Sequence, residues 1–288
     1  MLVRAATSDD LDAAYELIVQ RDRAVFGESE FQRRYLEHRL SEDGCDCLVA
    51  VDGGRVAAWA SLDADHGFTI AASDDEGAAE LLSGIEARAA ERGFGTITNI
   101  VVPEDAVQWS LLERCGFTAD REVLRMWRAL DGELEPPRWP SGVSVRAYTP
   151  TDGKRVQTLL DESYAGWDRD YVELTHTDWL AFMTAHDDFD PQMWFLAERG
   201  GALVACVLHW RATTGGNGWV KDLVVRESER GRGLGKALLQ HGFHAYRDRG
   251  AARVGLKVDA DNPTGAPQLY ERVGFVVDRR YTIWTKTL

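Results

Sequence analysis

The densest chemistry-bearing stretch of the sequence is Arg230-Gly231-Arg232-Gly233-Leu234-Gly235-Lys236. Its glycines let a backbone approach a ligand closely, and the N–H groups at the start of a following helix then point at whatever sits there. An anion is the expected guest, and Arg230, Arg232 and Lys236 add positive charge suited to a pyrophosphate. A dinucleotide loop requires Gly-x-Gly-x-x-Gly, whereas here one residue separates the second and third glycines. No Lys-Ser/Thr pair completes a loop for nucleoside triphosphates. A flexible basic loop is the plain alternative.

The loop needs a strand before it and a helix after it. Trp219-Val-Lys-Asp-Leu-Val-Val225 reads as the strand, and a helix beginning after Gly235 carries Leu234, Ala237, Leu238 and Ala245 on one apolar face. Other signals occur twice in the same order. Val3-Arg-Ala-Ala-Thr-Ser-Asp-Asp10 matches Val145-Arg-Ala-Tyr-Thr-Pro-Thr-Asp152, each a strand followed by a capped helix. Leu48–Gly54 matches Phe195–Gly201 as a hairpin turning at a Gly pair, and Ser110–Phe117 matches Gln268–Phe275 as a helix closed by glycine. Between the copies, residues 131–142 concentrate Pro, Gly and charge and read as an exposed linker. The expected organisation is a domain at 1–130, a linker at 131–142 and a second domain at 143–288. The fold class is α+β, with two tandem domains, each a mixed, mostly antiparallel sheet flanked by helices.

The formal net charge of −14 disfavours nucleic acid as a partner. Residues 139–288 hold 19 basic and 19 acidic side chains, and all five lysines. A polyanionic ligand therefore suits the second domain better. No run of about 20 apolar residues marks a membrane helix and the N-terminus is no signal peptide, so a cytoplasmic protein without a membrane partner is expected. Cys45, Cys47, Cys115 and Cys206 lack the spacing of a zinc site and read as reduced structural thiols, so no metal is expected.

Arg230-x-x-Gly233-x-Gly235 after a strand ending in Val225, with Asp261-Asn262 and Leu269-Tyr270-Glu271-Arg272-x-Gly274-Phe275 downstream, resembles the GNAT acetyltransferase superfamily. The resemblance spans the second repeat and, more weakly, the first. It implies acetyl-CoA as acyl donor and a sheet splayed at the site around a bulge. Backbone groups of Leu223, Val224 and Val225 would meet the pantetheine arm, with Val224 or Val225 polarising the thioester carbonyl. The N–H groups of Arg230, Gly231, Arg232, Gly233, Leu234, Gly235 and Lys236 would hold the pyrophosphate. Asn262 would contact the pantetheine, or cap the next helix. Tyr270 resembles the general acid of the superfamily, with a core tyrosine as its other reading.

Trp219 stands where many relatives carry a glutamate base. Asp222, in a strand similar to the Glu-Asp-Leu-x-Val strand of diamine-type acetyltransferases, is the alternative carboxylate for an ammonium; pairing with a basic neighbour is its other role. His209 and His241 are weaker candidates. Asp161–Tyr171 mixes carboxylates with aromatics, either to recognise a cation or with Tyr164 and Trp167 packed in the core.

In the first repeat Leu112 stands in place of Tyr270 and Glu104 in place of Asn262, while Asp74, Asp75 and Glu76 replace the basic loop. That copy is expected to bind acyl-CoA poorly. The tandem architecture is similar to the mycothiol synthase family, whose acceptor is not carried over because of Trp219. The expected function is acetylation of a primary amine on a small metabolite. A non-catalytic acyl-CoA-binding module and acetylation of an amino-sugar thiol are the alternatives. The sequence leaves the oligomeric state open.

Overall fold

The computed structural model describes residues 1–288 except 30, 42–43, 64, 166–170, 172, 185–187 and 214–215. In chain order its elements are β1 (Leu2–Ala5), α1 (Leu11–Phe26), α2 (Arg33–Ser41), β2 (Asp46–Asp52), β3 (Arg55–Leu62), β4 (Gly67–Ala72), α3 (Asp75–Glu91), β5 (Thr96–Val101), α4 (Ala106–Arg114) and β6 (Thr118–Ala129). The same series then recurs as β7 (Val143–Ala147), α5 (Gly153–Tyr164), α6 (His176–Thr184), β8 (Phe189–Arg199), β9 (Ala202–Thr213), β10 (Asn217–Val225), α7 (Leu234–Asp248), β11 (Arg253–Asp259), α8 (Ala266–Arg272) and β12 (Val276–Thr287). Among the described residues no helix is long and apolar enough to cross a membrane.

Two compact units result. The first comprises Met1–Val123 together with Arg280–Leu288, and the second Leu124–Arg279. In the first, the strand order is β1-β2-β3-β4-β5-β12, with β4 and β5 parallel and β12 antiparallel to β5. Its sheet buries one face against α3 and α4 through Leu81, Leu82, Ile85 and Leu112, and the other against α1 and α2 through Leu17, Ile18 and Leu36.

The second unit has the order β6-β11-β10-β9-β8-β7, with β10 and β11 parallel and β7 to β10 antiparallel in succession. Leu234, Leu238, Phe243 and Tyr246 of α7 join Tyr270 of α8 in the core on one face. Val156, Leu159 and Leu160 of α5 join Trp179 and Met183 of α6 on the other. Each helix therefore contributes apolar positions three and four apart, the stripe needed to cover a sheet.

Both units begin with one device. A Thr opens a capping box with an Asp three residues on (Thr7 and Asp10, Thr149 and Asp152). That Asp accepts a forked pair of bonds from an Arg of the preceding strand: Arg4 to Asp10 at 2.7 and 2.8 Å, and Arg146 to Asp152 at 2.7 and 2.6 Å. The Val3–Asp10 and Val145–Asp152 sequence match thus encodes a buried carboxylate that joins strand to helix. Residues 131–142 form no helix or strand up to the turn at Ser141. They are nonetheless not wholly exposed, since Leu134 is buried in the core of the second unit.

Candidate active site

The parallel register of β10 and β11 runs Asn217↔Arg253, Gly218↔Val254, Trp219↔Gly255 and stops there, although β10 continues to Val225 and β11 to Asp259. The sheet opens beyond that point. A register shift between Val220 and Asp222 places one extra residue, Lys221, in β10 at the start of the opening. Such a bulge bends a strand and re-aims the side chains after it.

Antiparallel pairing fixes what β10 offers to the open edge. The Arg226 N–H donates to Val204 O at 2.8 Å, and the register continues through Val225↔Ala205, Val224↔Cys206 and Leu223↔Val207. Alternate residues of such a ladder turn both backbone groups to the partner strand. Val224 therefore faces β9, while Leu223 and Val225 turn their N–H groups to the opening. On that side the Arg230 Nε donates to Val225 O at 3.1 Å.

The glycine-rich loop follows at once. Gly233 lies at φ 86°, a conformation that disfavours a Cβ, and forms the N-cap of α7. The helix begins at Leu234, two residues earlier than the glycine spacing suggests. A Cβ on Gly235 would stand 3.0 Å from the Leu269 side chain and 3.8 Å from those of Leu223 and Val225, so this glycine lets α7 start directly against β10 and α8. Three basic side chains surround the exposed N–H groups. Besides the Arg230 contact, Arg232 Nε lies 3.8 Å from Glu229, and Lys236 Nζ 2.9 Å from Glu135. A cavity of about 290 Å³ beside the helix start is lined by Glu135, Arg138, Gly233, Lys236, Ala237 and Gln240. A helix start with free donors, flanking cations and room beside it suits a pyrophosphate.

Asp222 follows the bulge with its side chain 13% exposed. Its Oδ1 accepts from the Tyr164 hydroxyl at 3.0 Å, and its Oδ2 lies 3.9 Å from Lys221 Nζ. Burial, then the charge of Asp222, pushes the Tyr270 hydroxyl well above the usual tyrosine range. The same two causes raise Cys206 and Tyr164. One carboxylate is thus felt by groups on α5, α8 and β9. Tyr270 is buried, its ring meeting Phe275 edge-on at 5.7 Å, and its hydroxyl makes no hydrogen bond among the described residues.

Asn262 lies in the turn after β11. Its Oδ1 accepts from Thr264 N and Thr264 Oγ1 at 3.0 and 2.5 Å, so it braces the turn ahead of α8 while Gly265 is the N-cap of that helix. The Trp219 ring packs edge-on to Trp127 at 5.7 Å, over Gly255 where the sheet begins to open. His209 is fully buried, its ring against Gly242 of α7, with neither nitrogen bonded and burial driving its pKa down to about 3. Burial first, then His244, also lowers His241. His209 is thus a core residue beneath α7, while the half-buried His241 packs its ring on Phe195 and Trp139.

No local pattern signals the bond from Tyr164 to Asp222, because it joins residues 58 positions apart. The expected acceptor segment Asp161–Tyr171 is described only in part. Trp167 and its neighbours 166–170 lie outside the described residues, while Tyr171 donates to Asp161 and stacks on Tyr164 at 5.5 Å.

The first unit closes the corresponding places. Asp74, the N-cap of α3, accepts from Gly77 N at 2.7 Å, so a carboxylate of the chain itself occupies that helix start. Where β4 and β5 stop pairing at Phe68↔Asn99, the Asn99 side chain donates to Phe68 O and accepts from Gln108 Nε2, both at 2.7 Å. Leu112 is buried.

Comparison with known proteins follows the same lines. Residues 154–275 match the family described as acetyltransferase (GNAT). A mycothiol acetyltransferase of Streptomyces avermitilis is 37% identical over 57% of this chain and 53% of its own length, so that match spans about half of the relative. A mycothiol acetyltransferase of Kineococcus radiotolerans is 30% identical over 92% of this chain and 89% of its own. The chain belongs to the GNAT acetyltransferase family. A GCN5-related N-acetyltransferase from Sphaerobacter thermophilus has the same fold from end to end, with a TM-score of 0.79 at 26% identity, covering 99% of this chain and 95% of that one. Membership makes this chain an acyl-CoA-dependent N-acetyltransferase built from two tandem GNAT-like units.

Proposed function

We propose that this enzyme transfers the acetyl group of acetyl-CoA to a primary amine of a small metabolite, with the chemistry in the second unit. The observation that carries the reading is the opening between β10 and β11, where Leu223 and Val225 turn their N–H groups outward and the charge of Asp222 is felt by the Tyr270 hydroxyl. Acetyl-CoA supplies an activated acyl carbon and a thiolate leaving group.

Each need of the reaction has a residue here. An alkylammonium with a pKa near 10.4 is neutral in only about one molecule in a thousand at neutral pH. Asp222 receives its charge and passes on its proton, directly or through water. The N–H of Leu223 or Val225 stabilises negative charge on the thioester oxygen, worth roughly 3 kcal/mol in other oxyanion sites. The Tyr270 hydroxyl stays protonated at neutral pH because burial and Asp222 disfavour its anion, so it has a proton to give the thiolate. The N–H groups from Arg230 to Lys236 hold the pyrophosphate, and the Asn262 side chain lines the other rim.

A thiol-release assay with an amine panel tests the reading. Release that depends on an added amine and falls about a hundredfold in kcat for Tyr270→Phe is expected for a general acid. Acetyl-CoA binding without release from any amine would sink it. A second reading takes its acceptor from the relatives' names, an amino-sugar thiol of the mycothiol type. That compound belongs in the same panel.

A further inference from the structure

The face of β10 opposite α7 carries an anionic aromatic cluster. Asp222 Oδ1 accepts from Tyr164, the last residue of α5. The Tyr164 ring stacks on Tyr171 at 5.5 Å between centroids and 30° between planes. The Tyr171 hydroxyl in turn donates to Asp161, which lies three residues before Tyr164 in the same helix. Two carboxylates, each bonded to a phenol, thus flank a pair of stacked rings.

The groups facing Asp222 are the Tyr164 and Tyr171 phenols, Tyr270 from α8, Cys206 from β9 and Lys221 from its own strand. Among the described residues only Lys221 of these is cationic, and its 3.9 Å separation is long for a hydrogen bond. Oδ2 therefore retains room to accept a further donor. A hydroxyl donated to Oδ1 fixes the rotation of the carboxylate.

Building on the proposed amine acetylation, we propose that Tyr164 is a positioning residue that aims Asp222 at the acceptor, and that Asp222, Tyr164, Tyr171 and Asp161 seat a primary ammonium. The cluster offers negative charge and ring faces, the two features that attract an ammonium. It repels a second negative charge next to the amine. The acceptors it admits are amines with no carboxylate on the amine-bearing carbon, such as amino sugars or alkylamines, and α-amino acids are excluded.

The full chain is assayed by thiol release from acetyl-CoA with D-glucosamine, 1,4-diaminobutane and glycine, as wild type and as Tyr164→Phe, across the neutral pH range. At least one of the first two is expected to exceed glycine in kcat/KM by about tenfold or more. Tyr164→Phe is expected to raise the acceptor KM about tenfold while leaving the KM for acetyl-CoA within about twofold. A ring that merely packs would change thermal stability and leave the acceptor KM in place, and that result overturns the proposal. Glycine as the best of the three overturns it too. If Tyr164→Phe does not fold, Tyr171→Phe decides by the same acceptor KM. Release from none of the amines removes the amine reading and this one together, whereas release with an unaltered Tyr164→Phe removes this one alone.

Discussion

Lys236 Nζ stands 2.9 Å from Glu135 Oε2 at the first turn of α7, and the same oxygen accepts from Gln240 Nε2 at 2.9 Å. A cation expected at the pyrophosphate is therefore already engaged by a carboxylate from residues 131–142. Lys236 first, by its hydrogen bond, and then by its charge, holds Glu135 below the usual carboxylate range. Glu135→Gln removes a negative charge from the cofactor mouth and frees Lys236. Calorimetric titration with acetyl-CoA should show Kd falling about two- to fivefold at low salt, with the gap narrowing at high salt as the exposed charges are screened. An unchanged Kd at low salt would place the phosphates elsewhere.

The two helix starts differ in what already occupies them. At α3 the Asp74 carboxylate takes the Gly77 N–H, whereas at α7 the N-cap is Gly233, which has no side chain to place there. Titration of the intact chain should therefore give about one acetyl-CoA per chain. Gly233→Ala forces a Cβ into the left-handed region at a cost of about 1 kcal/mol, so that single affinity should weaken about fivefold. Two equivalents, or a second set of sites unaffected by Gly233→Ala, would contradict this.

The sequence exposed the parts of this architecture that rest on local chemistry. Glycines at 233 and 235, the Arg-x-x-Gly-x-Gly spacing and the paired Thr…Asp caps are local necessities, and a short window displays them. Pairing across the chain is not local. Nothing near Tyr164 announces Asp222, and nothing in Arg280–Leu288 announces that these residues pack with the first unit, where Trp284 meets Trp109 edge-on at 4.9 Å. The bulge at Lys221 lay hidden for the same reason, since a register shift is a property of two strands. Residues 131–142 carried the Pro and Gly of a linker, yet Leu134, Glu135 and Trp139 dock on the second unit, because two apolar side chains and one carboxylate suffice to hold a short strap.

Acid should weaken both units through the Arg–Asp forks. The Arg4 hydrogen bond is the largest cause holding Asp10 down to about 2, and Arg146 holds Asp152 lower still. An unfolded aspartate titrates near 3.9. Because the folded values are depressed, the stabilisation is fully present above about pH 5 and fades as pH falls through the folded value. Asp10→Asn should therefore destabilise the protein at neutral pH in urea unfolding, and the gap to wild type should shrink from pH 5 toward pH 2. A gap independent of pH would show that the fork acts by shape alone.

Tyr246 offers a test of how the bulge is held in place. From α7 its hydroxyl accepts from Trp219 N at 3.0 Å and lies 2.6 Å from Trp210 O and 2.8 Å from Trp219 O, so it is bonded to β9 and β10 two residues before Lys221. The ring fills the space above Gly218, where a Cβ would stand 2.4 Å away. Tyr246→Phe keeps the ring and leaves the Trp219 N–H without its acceptor, a loss of about 1–3 kcal/mol for a buried donor. The slack should pass to the next residues of β10, where Asp222 and the outward N–H of Leu223 sit. The expected result is a kcat lowered about tenfold with the KM for acetyl-CoA nearly unchanged, since α7 still presents its N-terminus to the pyrophosphate. A variant that loses stability but keeps its kcat would show that the bulge is fixed by β9 alone.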